Sequence, residues 1–81
     1  MLIDVIGVNV RGAQQLLLEF ANHEKRLFDI SPYLNTGVFR LLRDAKLFQA
    51  AHVDGGTVAW PGGIDIAPET LYAESVPVLD G

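Results

Sequence analysis

The chain has 81 residues, of which 49% are hydrophobic, and its ten acidic and six basic side chains give a net charge of −4. This length is enough for one domain, and it is too short for two independent cores or for the walls of a large substrate cavity. The absence of cysteine excludes disulfides, thiolate nucleophiles and cysteine-ligated metal sites, and we expect no cofactor.

The sequence predicts a cytoplasmic protein that does not enter a membrane. A small domain without disulfides is typical of a reducing compartment. The N-terminal segment has no positively charged region typical of a signal peptide, and no apolar run approaches the roughly 20 residues that span a bilayer. An acidic chain is also a poor nucleic-acid binder, because cations dominate that affinity. A local basic cluster keeps this alternative open: Arg40, Arg43 and Lys46.

The first strand is predicted over residues 2–10, which are rich in Ile and Val. Its alternation slips at Gly7, because Ile3 and Val5 share one face whereas the apolar residues that follow share the other. A slip at a glycine indicates a β-bulge or a change of burial. The strand is therefore predicted to be apolar on both faces, and one of those faces needs a cover.

Two more strands complete a predicted antiparallel meander. Residues 14–21 predict a second strand, with Leu16, Leu18 and Phe20 on one face and Leu17 and Glu19 on the other. A turn at Asn22-His23 leads into a third strand from Lys25 to Ile30. The inward side chains of these two strands are predicted to be Leu16, Leu18, Phe20, Phe28 and Ile30.

The second half of the chain predicts helices and a second group of short strands. Ser31-Pro32 is a helix-start signal, since Ser suits an N-cap and Pro suits the first helical position. The apolar periodicity then predicts a helix over Thr36–Ala45. The later elements are predicted as strands at Phe48–Val53, Thr57–Trp60 and Ile64–Ile66, a short helix over 67–73 and a loose tail over 75–81.

These elements predict a single α+β domain over residues 1–74. It has two layers: a three-stranded N-terminal antiparallel meander, followed by a helix, a second short strand group and a short C-terminal helix. Further buried side chains are predicted at Phe39, Leu42, Phe48 and Val58.

Asp29 and Asp65 are the acids that first suggest chemistry. Each ends a strand just before a turn or a proline-started helix, so we expect both to accept hydrogen bonds from exposed backbone amides, with Ser31 as a further cap. Acid–base catalysis would instead need two carboxylates with differently tuned environments. A small hydrolase or ligand-binding domain that combines these acids with a histidine therefore stays open as an alternative.

The two histidines do not form a recognisable metal motif. His23 lies in a predicted turn and His52 lies on a predicted strand, with Asp54 as the nearest candidate third ligand. Histidine ligands usually come in a paired spacing that this sequence lacks. We therefore predict no metal site.

Trp60, followed by Pro61, is the most distinctive local feature. The proline ends the strand because it cannot donate to a β-ladder. The tryptophan either covers one end of the core or lies exposed as an anchor for a partner.

Five segments of the chain, in their order along the sequence, resemble those of a known bacterial family of unknown function, DUF2442. The most specific runs from Val58 through Trp60-Pro61-Gly62-Gly63, Asp65 and Pro68-Glu69 to Leu71-Tyr72. The others are Phe20-Ala21-Asn22-His23-Glu24, Leu27-Phe28-Asp29-Ile30, Val38-Phe39-Arg40-Leu41-Leu42-Arg43-Asp44 and Leu47-Phe48. The resemblance covers roughly residues 2–73.

The resemblance implies a small two-layer α+β fold in a toxin–antitoxin-like gene context, with some members fused to a helix-turn-helix. It assigns no catalytic residue. The chain departs from the family at the second hairpin, where Asn22-His23 replaces the usual asparagine–glycine turn. No helix-turn-helix follows in this sequence, so we do not expect the DNA-binding role of the fused members here.

These observations favour a non-enzymatic protein-interaction or regulatory module. A meander of this size leaves a strand edge open, and open edges are templates for association unless they are covered. We therefore expect a homodimer, and a small partner protein is a further possibility. The candidate interaction residues are Ile3, Val5, Leu17 and Trp60. An alternative is that the tail, through Val76, Pro77, Val78 and Leu79, covers the N-terminal strand internally and leaves a monomer.

Overall fold

The protein is described from a computed structural model that covers residues 3–78. In chain order its elements are β1 (Val5–Arg11), β2 (Gln15–Phe20), β3 (Lys25–Asp29), a short 3-10 helix (Ser31–Tyr33), a long 3-10 helix (Gly37–Arg43), α1 (Ala45–Phe48), β4 (His52–Asp54), β5 (Thr57–Trp60), β6 (Ile64–Ile66), α2 (Pro68–Glu74) and β7 (Val76–Pro77). They form a four-stranded antiparallel sheet in the order β1-β2-β3-β7 and a three-stranded antiparallel sheet in the order β4-β5-β6. The predicted α+β class is confirmed.

The slip in β1 is a β-bulge between Val5 and Gly7. An extra residue at this point changes which of the following side chains face inward. Val5 and Val8 consequently both lie opposite buried residues of β2 and both pack on the core, whereas Ile6 is left outside and 52% exposed. β1 therefore directs its valines to one face, which corrects the prediction of a strand that is apolar on both.

One hydrophobic core combines side chains from both sheets, the long 3-10 helix and both α-helices. Eight of the nine side chains predicted to be buried are in it, and Phe39 is the exception because it is only half-buried. Trp60 is 2% exposed: its indole Nε1 donates to the carbonyl oxygen of Phe48 at 3.0 Å, and the two rings stack with centroids 6.2 Å apart. The tryptophan thus joins β5 to α1 inside the core.

The predicted helix over Thr36–Ala45 is a long 3-10 helix followed by the single turn of α1. Gly37 has a left-handed φ of 52°, and Asp44 has an extended backbone that separates the two helices. The Asp44 side chain accepts a hydrogen bond from the Lys46 backbone nitrogen at 3.0 Å, which caps α1. Phe48 therefore ends a helix, and the predicted strand over Phe48–Val53 is corrected to His52–Asp54.

Part of the predicted loose tail is a strand. In β7, Val76 pairs with Leu27 of β3, and the Val78 nitrogen donates to the carbonyl oxygen of Lys25 at 2.9 Å. Ser75, directly after α2, is buried. The tail thus covers the β3 edge, and the remainder, from Leu79 onward, lies outside the described residues.

The β4–β5 hairpin reaches the N-terminal end of β1. The Val5 nitrogen donates to the carbonyl oxygen of Gly56 at 2.8 Å. Gly56 has a φ of 83°, a left-handed backbone conformation that other residues rarely adopt, so this turn favours glycine. Among residues 3–78, no helix is long and apolar enough to cross a membrane.

Candidate interaction face

The four-stranded sheet turns one face to the core and leaves the other without cover from the described residues. We call the uncovered side the outer face; its side chains form three rows in register across the strands. The middle row is Asn9, Leu17, Leu27 and Val76. The flanking rows are Arg11, Gln15 and Asp29 on one side, and Gly7, Glu19, Lys25 and Val78 on the other.

The outer face has an apolar centre and a depression. Leu17 and Leu27 are cross-strand neighbours and half-buried, while Val76 and Val78 are 59% and 37% exposed. Because Gly7 has no side chain, a depression of about 110 Å³ opens beside Leu17. The face therefore offers both protruding apolar side chains and a recess that could receive one.

The charges on the outer face balance. Arg11 and Lys25 carry two positive charges, and Glu19 and Asp29 carry two negative charges, whereas the whole chain carries −4. Glu19 and Lys25 face each other across β2 and β3. Like-charge repulsion between two copies would be weaker at this face than over the surface as a whole.

The structure separates the four candidate interaction residues into two groups. Val5 is 1% and Trp60 is 2% exposed, so both serve the core of the monomer and neither is available as a surface anchor. Ile3 is partly buried and packs against that core. Leu17 is the one candidate on the outer face. Its neighbour Leu27 was missed, although its alternation with the inward Phe28 is the signal that could have found it.

The candidate caps behave differently from one another. Asp29 accepts a hydrogen bond from the Ser31 backbone nitrogen at 2.9 Å. The Ser31 side chain does not cap its helix, whose N-cap position is Ile30. No side chain caps α2. The predicted caps at Ser31 and Asp65 are therefore wrong. Pro occupies the first turn of both helices and supplies the start signal without a side-chain cap.

The acids and histidines that an enzyme would need are dispersed. Asp29 lies on the outer face, while Asp65 and His52 lie on the other sheet, in one row with Ala59 between them and about 10 Å apart across two strand spacings. His23 is in the β2–β3 turn with a left-handed φ of 72°. His52 lies with Nδ1 3.1 Å from the carbonyl oxygen of Ala50. Within residues 3–78, no three acids or histidines are grouped to hold a metal.

Arg26, a partly buried arginine that the sequence reasoning missed, fastens the C-terminal segment to β3. The Arg26 side chain is 12% exposed and donates to the Ser75 hydroxyl and carbonyl oxygens, each at 2.8 Å, and to Glu24 at 3.0 Å. Its guanidinium lies 4.2 Å from the centroid of the Tyr72 ring. The available signal was that Arg26, two residues before the inward Phe28, lies on the same face of β3. We call Arg26, Glu24, Tyr72 and Ser75 the latch.

Glu24 stabilises the latch because both of its carboxylate oxygens accept hydrogen bonds. The Tyr72 hydroxyl donates to Oε2 at 2.5 Å, and this bond, followed by one from Asn22, lowers the pKa of Glu24. The same bond raises the pKa of Tyr72. Glu24 therefore stabilises the fold above the ordinary glutamate pKa, and this contribution is lost as the pH falls through its lowered value.

Tyr33 provides an alkaline counterpart to this acid dependence. Its hydroxyl donates to Glu74, which raises the pKa of Tyr33 to about 12. A raised pKa contributes stability below the ordinary tyrosine value of about 10 and loses it as the pH rises through the folded value. We expect an absorbance titration of the native protein to show delayed tyrosine ionisation, and Tyr33→Phe to remove the later phase. Ordinary ionisation of Tyr33 in the folded protein would contradict the bond to Glu74.

A protein-family model matches most of the chain. The family described as Protein of unknown function (DUF2442) matches residues 5–77. The chain belongs to the DUF2442 family. The predicted resemblance is thereby confirmed, and the match extends through β7, so the latched C-terminal strand is part of the DUF2442 domain. No curated protein and no solved structure matches this DUF2442 chain significantly.

Proposed function

We propose that this DUF2442 chain is a non-enzymatic protein-interaction module that forms a two-fold homodimer through its outer face. The observation that supports this most is that the outer face is complementary to itself. A two-fold interface uses the same patch on both subunits, so every protrusion, recess and charge must meet its counterpart on an identical surface.

One two-fold axis satisfies that requirement. When the axis runs parallel to the strands between β2 and β3, Leu17 lies over Leu27 of the second copy, and Glu19 lies over its Lys25. The same axis sets Val78 of the second copy over the depression beside Gly7, because β1 and β7 are the two edges of the sheet. Apolar side chains thus meet apolar ones, and an acid meets a base.

The size of the outer face limits the strength of the dimer. Four strands about 4.8 Å apart, with outward rows about 7 Å apart, make a face of roughly 20 by 20 Å. Two such faces approach the total of about 1,000 Å² that a specific interface requires only if they overlap almost completely. We therefore expect a reversible dimer with a micromolar dissociation constant.

Leu27→Glu is expected to leave the protein folded and monomeric. Leu27 points outward, so the change places two unpaired carboxylates in the dimer interface without entering the monomer core. Sedimentation equilibrium at about 100 μM, above the expected dissociation constant, should show the unaltered protein near twice 8.8 kDa and the variant near 8.8 kDa.

The matched control is Leu41→Glu, because Leu41 is 57% exposed and lies on the long 3-10 helix. It should sediment as the unaltered protein does. A monomeric unaltered protein, or equal loss of the dimer in both variants, would contradict the proposal.

Gly7→Leu fills the depression without changing any charge, so it tests steric complementarity alone. A Cβ at Gly7 would lie 3.6 Å from the Cβ of Glu19, an ordinary contact, and Gly7 does not have a positive φ. The monomer should accept leucine there, while the filled depression weakens the dimer about tenfold or more through steric conflict with Val78 of the second copy. Unchanged association would place the interface elsewhere.

A regulatory role through a small partner protein, in a toxin–antitoxin-like context, belongs to the same proposal. The lack of cysteine suits a reducing cytoplasm for such a module. The dispersal of Asp29, Asp65 and the histidines gives no support to the hydrolase alternative.

A further inference from the structure

The long 3-10 helix has an exposed apolar face that the fold does not use. In a 3-10 helix, residues three apart lie one above the other, so Gly37–Arg43 presents three distinct faces. Phe39 and Leu42 pack on the core, whereas Val38 and Leu41 are 51% and 57% exposed. Exposed apolar side chains that are adjacent on one element are a feature of binding surfaces.

The third face of this helix is cationic. Arg40 and Arg43 follow the same spacing of three, and Lys46 comes one turn later in α1. Asp44, the one acid between Thr36 and Lys46, is occupied as the cap of α1. This stretch therefore carries an excess of positive charge in a chain whose net charge is −4.

The arginines are held in different ways. Arg43 donates through Nε to the carbonyl oxygen of Leu34 at 2.9 Å, and its Nη2 bonds to Asn35, so its guanidinium is fixed beside the helix. Arg40 makes one long bond, 3.5 Å from Nε to the carbonyl oxygen of Asn35, and is exposed. One cation is thus pre-positioned and another can be moved toward a ligand at little cost.

We infer that Val38, Leu41, Arg40, Arg43 and Lys46 form a docking surface for a segment of a partner protein that combines carboxylates with apolar side chains. Charge complementarity selects an acidic segment, and the exposed valine and leucine require apolar side chains opposite them. A nucleic acid would meet the cations alone and leave both apolar side chains without a counterpart.

This docking surface is independent of the proposed dimer. Tyr33 stacks on the inward Phe28 and contacts Phe39, so the long 3-10 helix lies on the core side of the four-stranded sheet, away from the outer face. A dimer formed through the outer face therefore leaves both copies of the helix accessible.

The test is fluorescence anisotropy with short labelled peptides and the full chain. The probe is a peptide of glutamate and leucine, with three controls: serine in place of leucine, lysine in place of glutamate, and a single-stranded oligothymidylate of equal length. We expect saturable binding of the glutamate–leucine peptide, weakened by salt. The double variant Val38→Ser with Leu41→Ser should weaken it about tenfold, and Arg40→Glu should weaken it several-fold.

Matched control variants distinguish binding at this surface from nonspecific binding elsewhere on the protein. Val53→Ser changes another exposed apolar residue, and Arg11→Glu reverses a cation on the outer face; both should leave the affinity within about twofold. No saturable binding of the glutamate–leucine peptide would overturn the inference. The inference would also be overturned if the oligothymidylate or the serine peptide bound equally well and the double variant had no effect. The surface would then be a general binding site for polyanions.

Discussion

Phe28→Ala is expected to lower the free energy of unfolding by about 3–5 kcal/mol, the range for fully buried phenylalanine. Phe28 has no exposed surface, lies on β3, an inner strand of the four-stranded sheet, and stacks on Tyr33 with ring centroids 6.0 Å apart. The loss combines removed burial with a cavity that the surrounding side chains fill only in part. Domains of this size have roughly 4–12 kcal/mol in total, so the variant approaches the limit of folding.

Chemical denaturation followed through the fluorescence of Trp60, the single tryptophan, measures this loss in dilute protein. Phe39→Ala is the matched control, because Phe39 is only half-buried and should cost about half as much or less. A loss below about 1 kcal/mol at Phe28 would mean that it is not a core residue.

Arg26→Met is expected to cost about 2–4 kcal/mol, because it opens the latch while keeping most of the side-chain volume. The change removes both bonds to Ser75 and the bond to Glu24, and Ser75 is only 5% exposed, so water cannot fully replace the lost donors. The contact between the guanidinium and the Tyr72 ring is lost with them. The effect should be largest at α2 and β7.

Chemical denaturation measures the total loss of unfolding free energy in Arg26→Met. Amide hydrogen exchange shows which part of the fold is destabilised. We expect faster exchange at Val78, whose nitrogen bonds to Lys25 across the β3–β7 ladder, than in the unaltered protein. Arg40→Met is the control, since Arg40 is exposed and makes one long bond, and it should cost less than about 0.5 kcal/mol. Equal effects in the two variants would show that the latch does not hold the C-terminal strand.

The sequence predicted the meander and most of the core because their signal is local alternation. Leu16, Leu18 and Phe20 face inward on β2, as their period of two requires. The 3-10 helix gave no comparable signal, because its apolar residues also fit an α-helical stripe, and the break depends on the backbone of Asp44. The strand β7 is only two residues long and is fixed by the latch rather than by its own pattern.

The candidate interaction face could be predicted only in part. Leu17 was found because it is apolar at an outward position of β2. Val5 was misassigned to an interface, because the slip at Gly7 can be located from the sequence but does not show which face of β1 packs on the core. The depression beside Gly7 and the exposed Val78 depend on which strands are neighbours, which is information that only the folded sheet contains.

A concentration series of amide NMR spectra on the unaltered protein tests whether it dimerises through the outer face. If the outer face is the dimer interface, resonances of residues on β1, β2 and β3 around Gly7, Leu17 and Leu27 will shift together along one two-state binding curve. Resonances of Val38 and Leu41 on the long 3-10 helix will stay fixed. Spectra independent of concentration, or shifts confined to the 3-10 helix, would rule out a dimer formed through the outer face.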